Sequence, residues 1–70
     1  MNDIYFILGK NIKKFRIKAN LTINELSKKV KISKTTLTKI ELGQANPLIS
    51  TLLKISKALK VEVSDLCIGF

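Results

Sequence analysis

An all-α fold of five short helices is what this 70-residue chain predicts. Apolar residues recur at helical spacing, and cap-forming residues stand before the first three of those runs. Nothing alternates like a strand beyond the three residues "VEV" at 61–63. No repeat, low-complexity tract or second composition regime divides the chain, so residues 1–70 read as one domain. At this length folding buries only about 60% of the unfolded surface, and stability should be modest.

The elements follow in order. Asn2 or Asp3 can cap a first helix running to about Ala19, in which Leu8, Ile12 and Phe15 recur at i, i+4 and i+7. Asn20 then stops it, because asparagine tolerates left-handed backbone geometry. "TINELSKKV" opens with Thr22 three residues before Glu25, a capping-box pattern, and predicts a second helix over about 23–29 with Ile23, Leu26 and Val30 inward. Only Lys31 and Ile32 separate it from Ser33, the predicted cap of helix three, so the two helices should cross at a large angle. "GQANPLIS" is a loop punctuated by Gly43 and Pro47, and Pro47 pushes Asn46 out of helical geometry. Helix four runs from about Leu48 or Ser50 to Leu59, with Leu52, Ile55 and Leu59 on one face. A fifth fits around Val63 to Cys67.

Composition narrows the function. The net charge is +8, and residues 10–39 hold ten of the thirteen Lys and Arg against Glu25 as their only acid. Such concentration points to a polyanionic partner, nucleic acid before an acidic membrane. There is no histidine, no paired-carboxylate motif and no phosphate-cradling glycine loop, and the chain is too short for a substrate cleft. An enzyme is not expected, nor a metal, a cofactor or a small-molecule ligand. Cys67, the only cysteine, reads as a small apolar residue in a reducing cytosol. No signal peptide is expected, and no apolar stretch nears the roughly 18 residues of a membrane span. A soluble, cytoplasmic protein is the expectation.

The third helix carries the sharpest signal. Thr35, Thr38, Lys39 and Leu42 fall at i, i+3, i+4 and i+7, away from Leu37 and Ile40, with Lys34 flanking that face. A merely solvated face would use better helix formers than threonine. Threonine contributes a hydroxyl for phosphates or base edges and a methyl for thymine, and lysine donates to guanine or phosphate. The free N–H groups at the helix start also suit a phosphate.

From about Leu8 to Leu66 the chain resembles the Cro/repressor-type, or XRE, helix-turn-helix family. The resemblance rests on "IKKFR", "ISKTTLTKIELG", the loop "NP" and "STLLKISKAL" in that order and spacing. It implies a compact five-helix bundle of the phage-repressor-like DNA-binding type, with the helix-turn-helix at about 22–42 and helix three in the major groove. By the same resemblance Ser33, Lys34, Thr35, Thr38 and Lys39 occupy base-contacting and adjoining positions. Thr22, Thr36, Gln44 and Asn46 fall at phosphate-contacting positions, and Lys13, Lys28 and Lys31 add to the positive field there. An arginine of helix one commonly pairs in this family with the glutamate ending helix three, here Arg16 with Glu41. The chain departs where the family often has glutamine, at Ile23, and where it has small alanine, at Ser27. It also has Asn20, Lys31 and Lys60 where glycines are usual, and left-handed lysine costs roughly 1–2 kcal/mol.

The expected function is sequence-specific regulation of transcription on double-stranded DNA by a homodimer on a palindromic operator. A DNA-binding antitoxin or a restriction–modification controller is the alternative within the family. An RNA-binding or membrane-surface basic protein is more distant, since few aromatics are available for stacking and no long basic amphipathic helix is evident. Apolar residues at the chain end suggest a dimer interface over about 61–70, formed by Val61, Val63, Leu66, Cys67, Ile68 and Phe70. Ile4, Tyr5 and Phe6 are a second apolar excess.

Overall fold

Capping and turn chemistry set the helix boundaries in the computed structural model, which describes residues 3–68. The helices are α1 (Ile4–Lys18), α2 (Ile23–Val30), α3 (Lys34–Glu41), α4 (Ile49–Leu59) and α5 (Val63–Leu66). Asp3 caps α1, its carboxylate accepting from the Tyr5 N–H at 2.9 Å. Ser33 caps α3 through the Thr36 N–H at 3.0 Å. Leu48 precedes α4 with no side-chain cap. Boundaries differ from the expectation by one residue at the ends of α1, α2 and α5, where turns tighten.

Three non-glycine residues adopt left-handed backbone: Asn20, Lys31 and Lys60, with φ of 62, 63 and 59°. Each reverses the chain where a helix stops. At Lys31 the turn is closed by the Ile32 N–H donating to the Ser27 carbonyl at 3.1 Å. The lysines therefore carry the strain that their sequence positions imply.

The core is built by Leu8, Ile12, Leu26, Val30, Leu37, Ile40, Leu52, Ile55, Leu59 and Leu66. It contains the stripes expected for α1, α2 and α4, with Phe15 and Ile23 half-buried at its margin. Helix α3 packs on α1 and α2, α4 chiefly on α2, and α5 on α1 and α4. Glycine makes one of these contacts possible. A Cβ on Gly9 of α1 would run into the Ile40 and Glu41 carbonyls, so only a bare backbone lets α1 approach the end of α3 this closely. Gly43, at φ 75°, lies against Phe6, whose Cα would be 2.8 Å from an added Cβ.

The C-terminal segment requires a correction. Leu66 has 0% exposure and belongs to the core, so it is not available to a second protomer. Asn11, buried in α1, explains the placement: its side-chain amide donates to the Leu66 and Ile68 carbonyls, both at 2.8 Å. The tail is thus drawn onto its own domain, and Val61 packs against the core as well. Val63 is half-buried, and Cys67 and Ile68 remain exposed. Phe70 lies outside the described residues.

The strained turn gives a direct test. Lys31→Gly removes about 1–2 kcal/mol of left-handed strain and adds roughly 0.5–1 kcal/mol of unfolded-state entropy. Urea melts should therefore show a protein as stable as the parent or about 1 kcal/mol more so. Clear destabilisation would mean that Lys31 contributes more through its side chain than it loses in its backbone.

Candidate nucleic-acid interface

Two short helices and the turn between them present the candidate surface. α2 starts in a reciprocal cap, with the Thr22 hydroxyl accepting from the Glu25 N–H at 3.0 Å and Glu25 accepting from the Thr22 N–H at 2.8 Å. Hydrogen bonds from the Thr22 backbone and hydroxyl, with Lys29 nearby, hold the Glu25 carboxyl below the usual carboxylate range. A depressed folded-state value means that this cap acts in full at neutral pH and fades only as pH falls through that lowered value.

On α3, Leu37, Ile40 and Glu41 point inward, whereas Lys34, Thr35, Thr36, Thr38 and Lys39 are exposed. The amphipathic division expected from spacing is therefore present. The hydroxyls are already partly committed. Ser33 accepts from the Thr36 N–H and donates to the Thr36 hydroxyl at 2.7 Å, which leaves the Thr36 proton free to donate outward. Thr38 donates to the Lys34 carbonyl at 2.9 Å, leaving an acceptor and a methyl group facing out. Among the described residues Thr35 makes neither kind of bond.

Thr22, Lys13, Lys28, Lys31, Gln44 and Asn46 are all exposed as well. Lys13 and Thr38 line one groove between α1 and α3. Gln44 is set directly after α3 by its N–H, which donates to the Lys39 carbonyl at 2.9 Å. Lys28 lies on the solvent side of α2.

The positive field has little internal compensation. Asp3, Glu25, Glu62 and Asp65 all sit at helix starts, where they meet backbone N–H groups or the positive end of the dipole. Glu41 is engaged by Arg16. The guanidinium grips it with two bonds, Nε to Oε2 at 2.6 Å and Nη2 to Oε1 at 3.1 Å. A third bond runs from Nη1 to the Leu21 carbonyl at 2.9 Å. The two side chains are 11% and 5% exposed, so the pair is largely withdrawn from water.

Sequence reasoning missed one exposed feature, the apolar trio Leu48, Ile49 and Leu53 at the start of α4. Its signal was available: these residues fall off the Leu52–Ile55–Leu59 stripe, which already fills the core side of the helix. Among the described residues no cluster of His, Cys, Asp or Glu could hold a metal ion. Among the same residues no helix is long and apolar enough to cross a membrane.

Two short helices joined through Lys31 and Ile32, the second facing outward with hydroxyls and lysines, define a helix-turn-helix DNA-binding domain. The family model HTH_3, helix-turn-helix, matches residues 12–66. The chain belongs to this family of DNA-binding transcriptional regulators, which are not enzymes. An uncharacterised HTH-type transcriptional regulator of Archaeoglobus fulgidus is 35% identical over 57 residues, covering 81% of this chain and 80% of that one. The crystal structure of SinR, a master regulator for biofilm formation, in complex with DNA is similar at 37% identity and a TM-score of 0.80. That likeness covers 84% of this chain and 95% of the other. The restriction–modification controller C.AhdI of Aeromonas hydrophila shares the fold, with a TM-score of 0.85 at 22% identity over 89% of this chain and 94% of its own.

The ion pair sets a prediction for the scaffold. Arg16→Met or Glu41→Gln strands a charged or polar partner out of water and should each destabilise by about 3–5 kcal/mol. The double variant should recover part of that loss. A thermal double-mutant cycle with no coupling would show that the two side chains act independently.

Proposed function

We propose that this protein is a sequence-specific regulator that reads a palindromic double-stranded operator as a homodimer, with α3 in the major groove. The observation that carries the proposal is the exposed face of α3, where threonines and lysines stand in place of better helix formers. Lys34, Thr35, Thr38 and Lys39 are assigned to base edges, with Ser33 adjoining them at the cap. Thr38, its proton bonded to the backbone, suits a base amino group or a thymine methyl. Thr36, whose proton is free, suits a phosphate oxygen, as do Thr22, Gln44 and Asn46. Lys13, Lys28 and Lys31 add sequence-independent attraction.

Dimerisation is proposed because one recognition helix meets too few base pairs to specify a site. Exposed Cys67 and Ile68, half-buried Val61 and Val63, and Phe70 are offered as one interface. The exposed trio Leu48, Ile49 and Leu53 supplies a second apolar surface that the same dimer can use.

Selection from random duplexes should yield half-sites about 10–10.5 base pairs apart, or a multiple of that spacing. On the selected site Thr35→Ala and Lys39→Ala should each lose about 1–3 kcal/mol and relax preference at one position. Lys28→Ala should weaken selected and random DNA alike. Equal losses on both DNAs for Thr35→Ala and Lys39→Ala would remove α3 from base reading.

Sedimentation tests the assembly. Ile68→Ser with Phe70→Ser should give a folded monomer with much weaker operator binding if the chain end forms the interface. Should only Leu48→Ser with Ile49→Ser do so, the contact lies at α4 instead. A parent protein that is monomeric at tens of micromolar yet binds specifically would refute the dimer.

A further inference from the structure

Beside α3 runs a groove whose apolar residues the proposed DNA contacts do not use. It encloses about 580 Å³ between α1 and α3, with the first residue of α2, Ile23, in its wall. Along α1 its lining includes Phe6, Lys10, Lys13 and Ile17, at i, i+4, i+7 and i+11, with Lys14 and Arg16 between them. Opposite them stand Thr38 and Glu41 of α3, the latter held by Arg16, and Leu42, the residue that ends the helix. Phe6, Ile17 and Leu42 are 47%, 58% and 57% exposed, so three large apolar side chains face water on a strongly basic surface.

The pattern limits what can occupy it. The α1 stripe runs over eleven residue steps, about 16 Å or three helical turns. Its apolar residues lie at the ends and its cations in the middle, with the Lys10 ammonium held 5.4 Å from the centroid of the Phe6 ring. A phosphate backbone would answer the lysines and leave Phe6, Ile17 and Leu42 unmatched. A single-headed anionic amphiphile needs cations gathered at one end, and these are spread along the stripe. A second copy of this chain matches poorly, because four of its acids stand at helix starts and Glu41 is held by Arg16. A helix with apolar anchors about three turns apart and carboxylates between them meets every element.

We propose that the α1–α3 groove is a docking site for an acidic amphipathic helix of an antagonist protein, which displaces DNA when bound. Thr38 and Lys13 line the groove and also belong to the proposed DNA contacts, so both ligands compete for the same atoms. Docking stands on the groove alone. Displacement rests on the DNA-binding geometry proposed above.

The test uses the 70-residue chain and a phage-displayed library of helical peptides with one face randomised. The library is selected on the parent protein and counter-selected on Ile17→Ser with Leu42→Ser, two exposed substitutions whose folding is checked by thermal melts. Enriched peptides should carry Asp or Glu between apolar anchors. They should bind the double variant at least tenfold more weakly and Lys10→Glu several-fold more weakly. A synthetic copy should displace a labelled duplex from the parent protein. Failure to enrich, peptides without acids, or equal binding to the double variant would overturn the docking site. Dodecanoate shifting the Ile17 and Leu42 amide resonances, with no peptide enriched, would overturn it in favour of a small amphiphile. Peptide and duplex bound together would overturn displacement. A parent protein that binds no duplex at all would defeat the DNA reading and displacement with it, while the peptide result would still decide docking.

Discussion

The bidentate contact between Arg16 and Glu41 joins three parts of the domain that must keep a fixed relation. It ties the last turns of α1 to the end of α3, and its third hydrogen bond captures the Leu21 carbonyl in the connection to α2. Helix α3 is only eight residues long, too short to hold a helical conformation alone. Its position is therefore set by what grips its ends and inner face. Gly9 brings α1 against the Ile40 and Glu41 carbonyls, Leu37 and Ile40 enter the core, and Arg16 fixes the carboxylate. A buried ion pair of this kind adds little net stability over apolar packing, because both charges lose water. Its contribution is geometric: one arrangement makes all three hydrogen bonds of the guanidinium at once.

The domain separates its charges by use. Acidic residues serve helix starts and the ion pair, while the lysines all stand exposed on the surface. Caps matter in a chain this small, since each satisfies N–H groups that a thin core cannot otherwise shelter. Committing the carboxylates there has a second effect. The basic field is left uncancelled, which suits a polyanion approached over several ångströms. The left-handed lysines at 31 and 60 fit the same pattern: glycine would relieve strain at both turns, whereas lysine adds charge.

Much of the fold was legible because short helices declare themselves locally. Thr22 with Glu25, and Ser33, mark boundaries through bonds made within a few residues, and Asn20 and Pro47 do so through backbone geometry. The stripes Leu8–Ile12–Phe15 and Leu52–Ile55–Leu59 state which way α1 and α4 face. The outward face of α3 was legible for the converse reason, since threonines there oppose helix propensity and leave a use for their hydroxyls as the explanation. Leu66 was not legible. An apolar residue near a chain end can turn inward or outward, and Asn11, fifty-five positions earlier, draws it inward.

The sequence by itself determined the helices, their inner faces, the basic balance and the family, because each rests on near neighbours or on composition. Only the tertiary structure decided which surplus apolar residues stay outside. It consumed Leu66, and it left Leu48, Ile49 and Leu53 exposed on α4. It also set Phe6, Ile17 and Leu42 around one groove, although Leu42 lies twenty-five or more positions along the chain from the other two. The physical reason is that burial is allotted by the packing of whole helices. A side chain's own hydrophobicity cannot report whether the space beside it has already been filled.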